Sequence, residues 1–334
     1  MAHQRLIWAD ALKGWLIILV VLGHALQCTL GSECDENHLW NIIYSFHMPA
    51  FMAVSGYLNF RSGALGGGIN KIYSTILRRL RQLVVPFFLW SLLSLFIHNS
   101  LNVISITEII LHPDSGLWFL WVLFIVTVLF LIGSWLAAIC KILQEVVIFS
   151  MCAILVGIMV VFEPRVFGYQ FVAYYFLFYS LGYYLHKYHS ILTCNKILMA
   201  VLFFFWAFLA WFWKMHEVPS FIQNLPLPAS ISQYAYRFIT AAIAIYLLFS
   251  VSPLLFGSDN RWETPLKNLG YYSLGIYTSH LIFIGDLVEF LLKVSENTTI
   301  VVLISFISNL FLSWLIVWLL SKWKVTATLL LGKI

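Results

Sequence analysis

Two ionisable side chains frame the first apolar run, ALKGWLIILVVLGHALQCT at Ala11–Thr29: Lys13 at its mouth and His24 in its middle. Helical geometry separates them by roughly 16 Å and returns them to nearly the same face. A segment entering a bilayer near Gly14 sets His24 close to the midplane of a hydrocarbon core about 30 Å thick. An imidazole there is a candidate general base toward a hydroxyl, or a nucleophile that carries a group transiently. A neutral histidine bonded to a neighbouring helix is the alternative. SFHMP at Ser45–Pro49 adds a second imidazole, His47, with Pro49 predicted to break the helix just after it. YYSLGIYTSH adds a third: Ser273, Tyr277 and His280 recur at i, i+4 and i+7 and make one polar stripe. That stripe also suits an interhelical hydrogen-bond seam. His280 follows Gly270 by the ten residues that separate His24 from Gly14. Arg78 and Arg81, in RRLR, are spaced to share a face and grip one polyanion, beyond their role as topology markers.

The elements that must position these groups are membrane helices. Hydrophobic residues make up 62% of the 334 and charged ones 10%, which excludes an ordinary soluble domain and predicts an all-α polytopic protein. About ten spans are predicted, near 11–30, 40–60, 83–100, 117–139, 146–162, 169–186, 195–213, 233–254, 270–291 and 299–321. The first is expected to be a retained helix, since Asp10 and Lys13 stand at its start and no cleavage signature follows. Arg61–Gln82 is the longest predicted stretch outside a span, with Gly63, Gly66, Gly67 and Gly68 before the basic run. No internal repeat is evident, which weakens an inverted-repeat transporter.

Orientation follows from the cations. With the N-terminus inside, only Arg165, Lys214, Arg237 and Lys293 fall on the outer side, leaving fifteen of the 19 Lys and Arg inside. Both termini are therefore expected to be cytoplasmic. The longest external surfaces are then Gly31–Leu39, Asn99–Gly116 and Lys214–Ser232. The net charge of +5 comes from basic residues clustered in short loops beside the apolar segments and does not imply nucleic acid. The five cysteines form no metal-ligand cluster. Cys28 and Cys34 are near enough for a disulfide if their loop faces an oxidising space.

Taken in order, these motifs resemble the acyltransferase 3 family of integral membrane O-acyltransferases. The likeness rests on Lys13 and His24, on SFHMPAFMAVSGYL at Ser45–Leu58, and on RRLR followed by LVVPFFLW at Arg78–Trp90. GLWFLWVLF at Gly116–Phe124, by itself an interfacial anchor, and the Ser273–Tyr277–His280 stripe complete it. Lys13 stands where many members have arginine, which keeps the charge and loses the planar fork.

The resemblance implies one membrane-embedded domain over 1–334 with no appended soluble domain, in a multi-pass protein of the bacterial inner membrane. It implies transfer of an acetyl or other short acyl group from cytoplasmic acyl-CoA to a hydroxyl of a sugar, glycan or glycolipid. No permanently bound cofactor and no metal are called for. His24 is then the base or acyl carrier, with Tyr277, Ser273 or His280 orienting it or stabilising an oxyanion. Lys13, Arg78 and Arg81 face the donor, and His47, Trp118 and Arg237 the acceptor. A flippase for a glycan or lipid-linked precursor is the competing class.

Overall fold

The computed structural model describes residues 6–61, 68–113, 115–192, 195–224, 226, 228–256 and 264–333. Arg5, Gly63, Gly66, Gly67, Cys194 and Arg261 lie outside them. Among the described residues there is helix and no strand. The helices are α1 (Ile7–Leu30), α2 (His38–Arg61), α3 (Gly68–Arg79), α4 (Val85–Ile97), α5 (Val103–Leu111), α6 (Trp118–Cys140) and α7 (Gln144–Phe162). They continue with α8 (Tyr169–Lys187), α9 (Lys196–Trp211), α10 (Ser220–Gln223), α11 (Ala229–Leu255), α12 (Thr264–Val294), α13 (Thr298–Leu320) and α14 (Lys324–Leu331). Each predicted span overlies a helix. Seven helical segments among the described residues are long and apolar enough to cross a membrane. The protein is an all-helical, multi-pass membrane protein.

Residues 1–51 with 190–316 form one compact unit, and residues 52–189 with 317–334 another. The first is built on α1 against α12. A Cβ added to Gly14 would lie 1.9 Å from the Leu266 carbonyl oxygen, and one added to Gly270 would lie 1.7 Å from that of Asp10. Only glycine allows backbones this close, the device membrane helices use where no hydrophobic drive joins them. Hydroxyls that would otherwise be stranded bond back to their own helix: Thr278 and Ser279 both donate to the Gly275 carbonyl, at 2.8 and 2.9 Å.

The second unit has its own reciprocal crossing. A Cβ on Gly56 of α2 would lie 1.9 Å from the Tyr179 oxygen, and one on Gly182 of α8 the same distance from that of Ala53. Helices α3 and α4 are joined by a π-helical turn, Leu80–Val84, in which the Val85 amide donates to the Leu80 carbonyl. Pro86 then has no amide to give Gln82. The Gln82 carbonyl instead meets the backbone of Gly332, whose φ of +61° and close approach both require glycine. Trp90 Nε1 donates to the Leu330 carbonyl at 2.8 Å, so α14 is held along α4.

One expectation is corrected. Pro49 does not break α2, which runs through it. Proline withholds an amide from the Ser45 carbonyl, but side chains of the same turn bond the carbonyls before it. Ser45 Oγ donates to Ile42 O at 2.7 Å, and His47 Nδ1 donates to Ile43 O at 2.7 Å. The interruption stays local. The basic stretch before the third predicted span is helical from Gly68 onward and leads through the π-turn without a break. The stretches expected to be external carry short helices, at Gly31–Glu36, α5 and α10.

The glycine crossing makes a prediction. Gly270→Val forces α1 and α12 apart, and overpacking of this kind costs about 1–3 kcal/mol. The detergent-solubilised variant should melt several degrees below the parent. An unchanged melting curve would show that the seam can open without loss.

Candidate active site

The first unit gathers the imidazoles. Because α1 and α12 touch at Gly14 and Gly270 and run in the same direction, the equal ten-residue steps bring His24 and His280 to one level. Their ring centroids are 5.1 Å apart and tilted by 48°. His280 is fully buried and places Nδ1 3.1 Å from the Ile276 carbonyl. A ring nitrogen facing a carbonyl carries the hydrogen, so the other, Nε2, is left as an acceptor. That Nε2 is buried with no hydrogen-bond partner among the described residues. Asn309 of α13 donates from Nδ2 to the His280 carbonyl at 3.1 Å and fixes this turn of α12 from outside.

His24 differs from its neighbours in exposure. It is partly open, whereas His47 is 3% exposed and His280 0%. Of the three, His24 is the imidazole a substrate can meet. Gln27 lies one turn on along the same helix. Gln27 Oε1 accepts from the Tyr44 hydroxyl at 2.9 Å. Tyr44 is seated by Gly23, whose added Cβ would lie 2.9 Å from its ring. The ring stacks on Trp40 at 4.0 Å and meets His47 edge-on at 4.8 Å. Tyr277 lies 5.8 Å from His280, centroid to centroid, and Ser273 Oγ donates to the Gly270 carbonyl at 2.9 Å. The arrangement is a partly open imidazole, a glutamine one turn on, and a buried imidazole acceptor beside it.

The other predicted residues are placed as follows. Lys13 Nζ is 2.7 Å from Asp10 Oδ1, so its charge is matched within α1. Arg237 of α11 lies over the Trp213 ring at 5.4 Å. In the second unit Trp118 sits among Phe171 and Tyr175, at 4.7 and 4.9 Å. Arg78 and Arg81 are exposed. The π-turn begins between them and shifts them off the α-helical register that their spacing implies. Arg79 turns inward, donating from Nη1 to Gln82 Oε1 at 3.2 Å. Cys28, Cys34, Cys140 and Cys152 are free thiols, so the structure contains no Cys28–Cys34 bridge.

The acyltransferase domain model matches residues 6–318. The chain belongs to the acyltransferase 3 family. It is similar to the nodulation protein NolL of Sinorhizobium fredii, 35% identical over 151 residues, which is 40% of this chain and 40% of that protein. It is also similar to the nodulation protein NolL of Mesorhizobium japonicum, 35% identical over 126 residues, 35% of this chain and 32% of that one. The matched stretches thus cover well under half of either relative. No solved structure matches.

Sequence reasoning missed Gln27, Tyr44 and Asn309. Gln27 was open to it, since His24 and Gln27 are i, i+3 on one apolar helix. Tyr44 and Asn309 come from other helices, and no spacing announces them.

For this family member the Tyr44–Gln27 bond is testable. Tyr44→Phe keeps the stack on Trp40 and deletes one hydroxyl. A lost hydrogen bond of ordinary strength should lower kcat about three- to tenfold, and Gln27→Ala at least as much. If kcat is unchanged in both, neither side chain orients His24.

Proposed function

We propose that this acyltransferase moves a short acyl group, acetyl in the simplest case, from acyl-CoA to a hydroxyl of a cell-surface sugar or glycan. The observation that carries the reading is the partly open His24, 5.1 Å from a buried His280 whose Nε2 has no partner among the described residues. His24 takes the acceptor proton as the hydroxyl oxygen attacks the thioester carbonyl. The tetrahedral intermediate collapses with cleavage of the carbon–sulfur bond, and the departing thiolate receives the proton from the His24 imidazolium. In the two-step variant His24 itself accepts the acyl group and passes it to the hydroxyl. His280, with its hydrogen committed to Ile276, offers Nε2 to the imidazolium while that charge exists. Tyr277 is the nearby group for the developing oxyanion, while Ser273, bonded to the Gly270 carbonyl, lies two turns before His280.

Donor recognition falls to cations. Exposed Arg78 and Arg81 suit the phosphates of a nucleotide carrier, since charge-assisted bonds to phosphate are the strong kind. Lys13, matched by Asp10, has less free charge to offer. His47, Trp118 and Arg237 are assigned to the acceptor side, and the bacterial inner membrane is the proposed location. The scheme uses no resident cofactor. Family membership favours covalent transfer over the flippase alternative.

His24→Ala should lower acyl transfer by at least the roughly 10²–10⁴-fold typical of general-base catalysis. Expression and melting should be preserved. Transfer from radiolabelled acetyl-CoA to membrane glycan reads it out; near-normal transfer would remove His24 from the chemistry.

Arg78→Ala and Arg81→Ala should each raise KM for acyl-CoA by roughly tenfold, the worth of one charged hydrogen bond. KM for the acceptor should not move. Unchanged donor dependence in both would reduce the pair to topology markers.

A further inference from the structure

Beyond the imidazole cluster, the first unit holds a second cavity, of about 330 Å³, around the outer end of α2 on the orientation that the cations favour. Its size lies at the small end of ordinary ligand pockets, roughly 300–1,000 Å³. Among the residues around it are Glu36, Asn41, Trp211, Lys214, Glu217 and Ser220. None of them belongs to the sites assigned above.

Four observations converge. Asn41 is only 2% exposed, and its Nδ2 donates to the Asp35 carbonyl at 2.7 Å. That bond fixes which way the amide faces, so the other atom, Oδ1, must be the acceptor. It is buried with no partner among the described residues. A buried acceptor left unsatisfied is costly, and a ligand hydroxyl would satisfy it. Then Lys214 Nζ lies 2.7 Å from Glu36 Oε1 and 3.3 Å from Glu217 Oε2. The Glu36 carboxylate holds the Lys214 ammonium above its usual range. Two carboxylates against one ammonium leave the lining net acidic, which suits hydroxyl donors and repels phosphate. Further, Trp211 is 54% exposed, and His38 stacks on it at 4.2 Å. A flat, partly open aromatic beside planar polar groups suits the apolar face of a sugar ring. Lastly, the cavity shares helix α2 with the candidate active site. Asn41 precedes Tyr44 by one helical turn and His47 by six residues, about 9 Å along the axis.

We propose that this cavity is a saccharide subsite. It takes a neutral sugar residue of the acceptor through Asn41 Oδ1, the Glu36 and Glu217 carboxylates and the Trp211 ring. The chain beyond that residue runs inward along α2 toward His24. Lys214 is a positioning residue that bridges the two carboxylates. The subsite rests on the glycan-acceptor reading and narrows it, because an acidic lining discriminates against phosphorylated and other anionic sugars.

The test is saturation-transfer NMR on the detergent-purified full chain, with cellobiose as a neutral probe and glucose 6-phosphate as its anionic counterpart. Cellobiose should receive saturation from the parent and from His24→Ala. Its signal should fall roughly tenfold in Asn41→Leu, Glu217→Gln and Trp211→Ala. Glu217 and Trp211 are exposed, so these two variants keep the test decisive if Asn41→Leu fails to fold. No cellobiose signal in the parent, or an equal signal in Glu217→Gln and Trp211→Ala, overturns the subsite. Preference for glucose 6-phosphate overturns its ligand class. In transfer assays the same variants should raise KM for the glycan and leave KM for acyl-CoA alone. Normal transfer with an unmoved acceptor KM removes the subsite but keeps the acyltransferase reading. Failure of the parent to acylate any glycan removes that reading, and the NMR result still decides whether the cavity binds sugar.

Discussion

The contact on which the site depends is the meeting of Gly14 with Gly270. Two backbones approach until an added methyl carbon would sit inside a carbonyl oxygen. Such a contact fixes both separation and axial register, because neither helix can slide without driving a side chain into the other's backbone. Everything ten residues farther along α1 and α12 inherits that register. His24 and His280 face each other because two residues without side chains do so three turns below them. Asp10 belongs to the same joint: its carbonyl receives Gly270 while its carboxylate holds Lys13.

Within the joint's reach the polar groups are arranged so that hydrocarbon can tolerate them. Hydroxyls return to their own helix, and two imidazoles commit Nδ1 to carbonyls one turn back. These bonds do more than satisfy. They choose the tautomer, so the nitrogen opposite the carbonyl is an acceptor in both His47 and His280. His24 differs from both in being partly open.

Much of this was legible in the sequence, and the remainder was not for definable reasons. Apolar length located the helices, since a bilayer imposes that length whatever the partners. Equal steps from glycine to histidine gave equal depth, though depth could not say that the two helices were neighbours; only backbone contact does. Pro49 misled because the rule for an isolated helix ignores the side chains that cover the carbonyls before it. Arg78 and Arg81 appeared to share a face because α-helical periodicity was carried through a π-turn. Asn41 carried no signal at all, since an asparagine becomes informative only when one of its two ends is left over.

The pairing of α1 with α12 also sets the order in which the protein is made. His24 and His280 are 256 positions apart in the chain. At the usual 5–20 residues per second, on the order of tens of seconds pass between them on the ribosome. Through that interval α1 stands in the membrane with its glycine seam uncovered. The whole of residues 52–189, the larger part of the other unit, is synthesised meanwhile. Helix α2 arrives at once, and Tyr44 can seat on Gly23 while the rest of the seam waits. The half-built site is thus a long-lived biosynthetic intermediate, in which α1 waits for α12 while most of the chain is made.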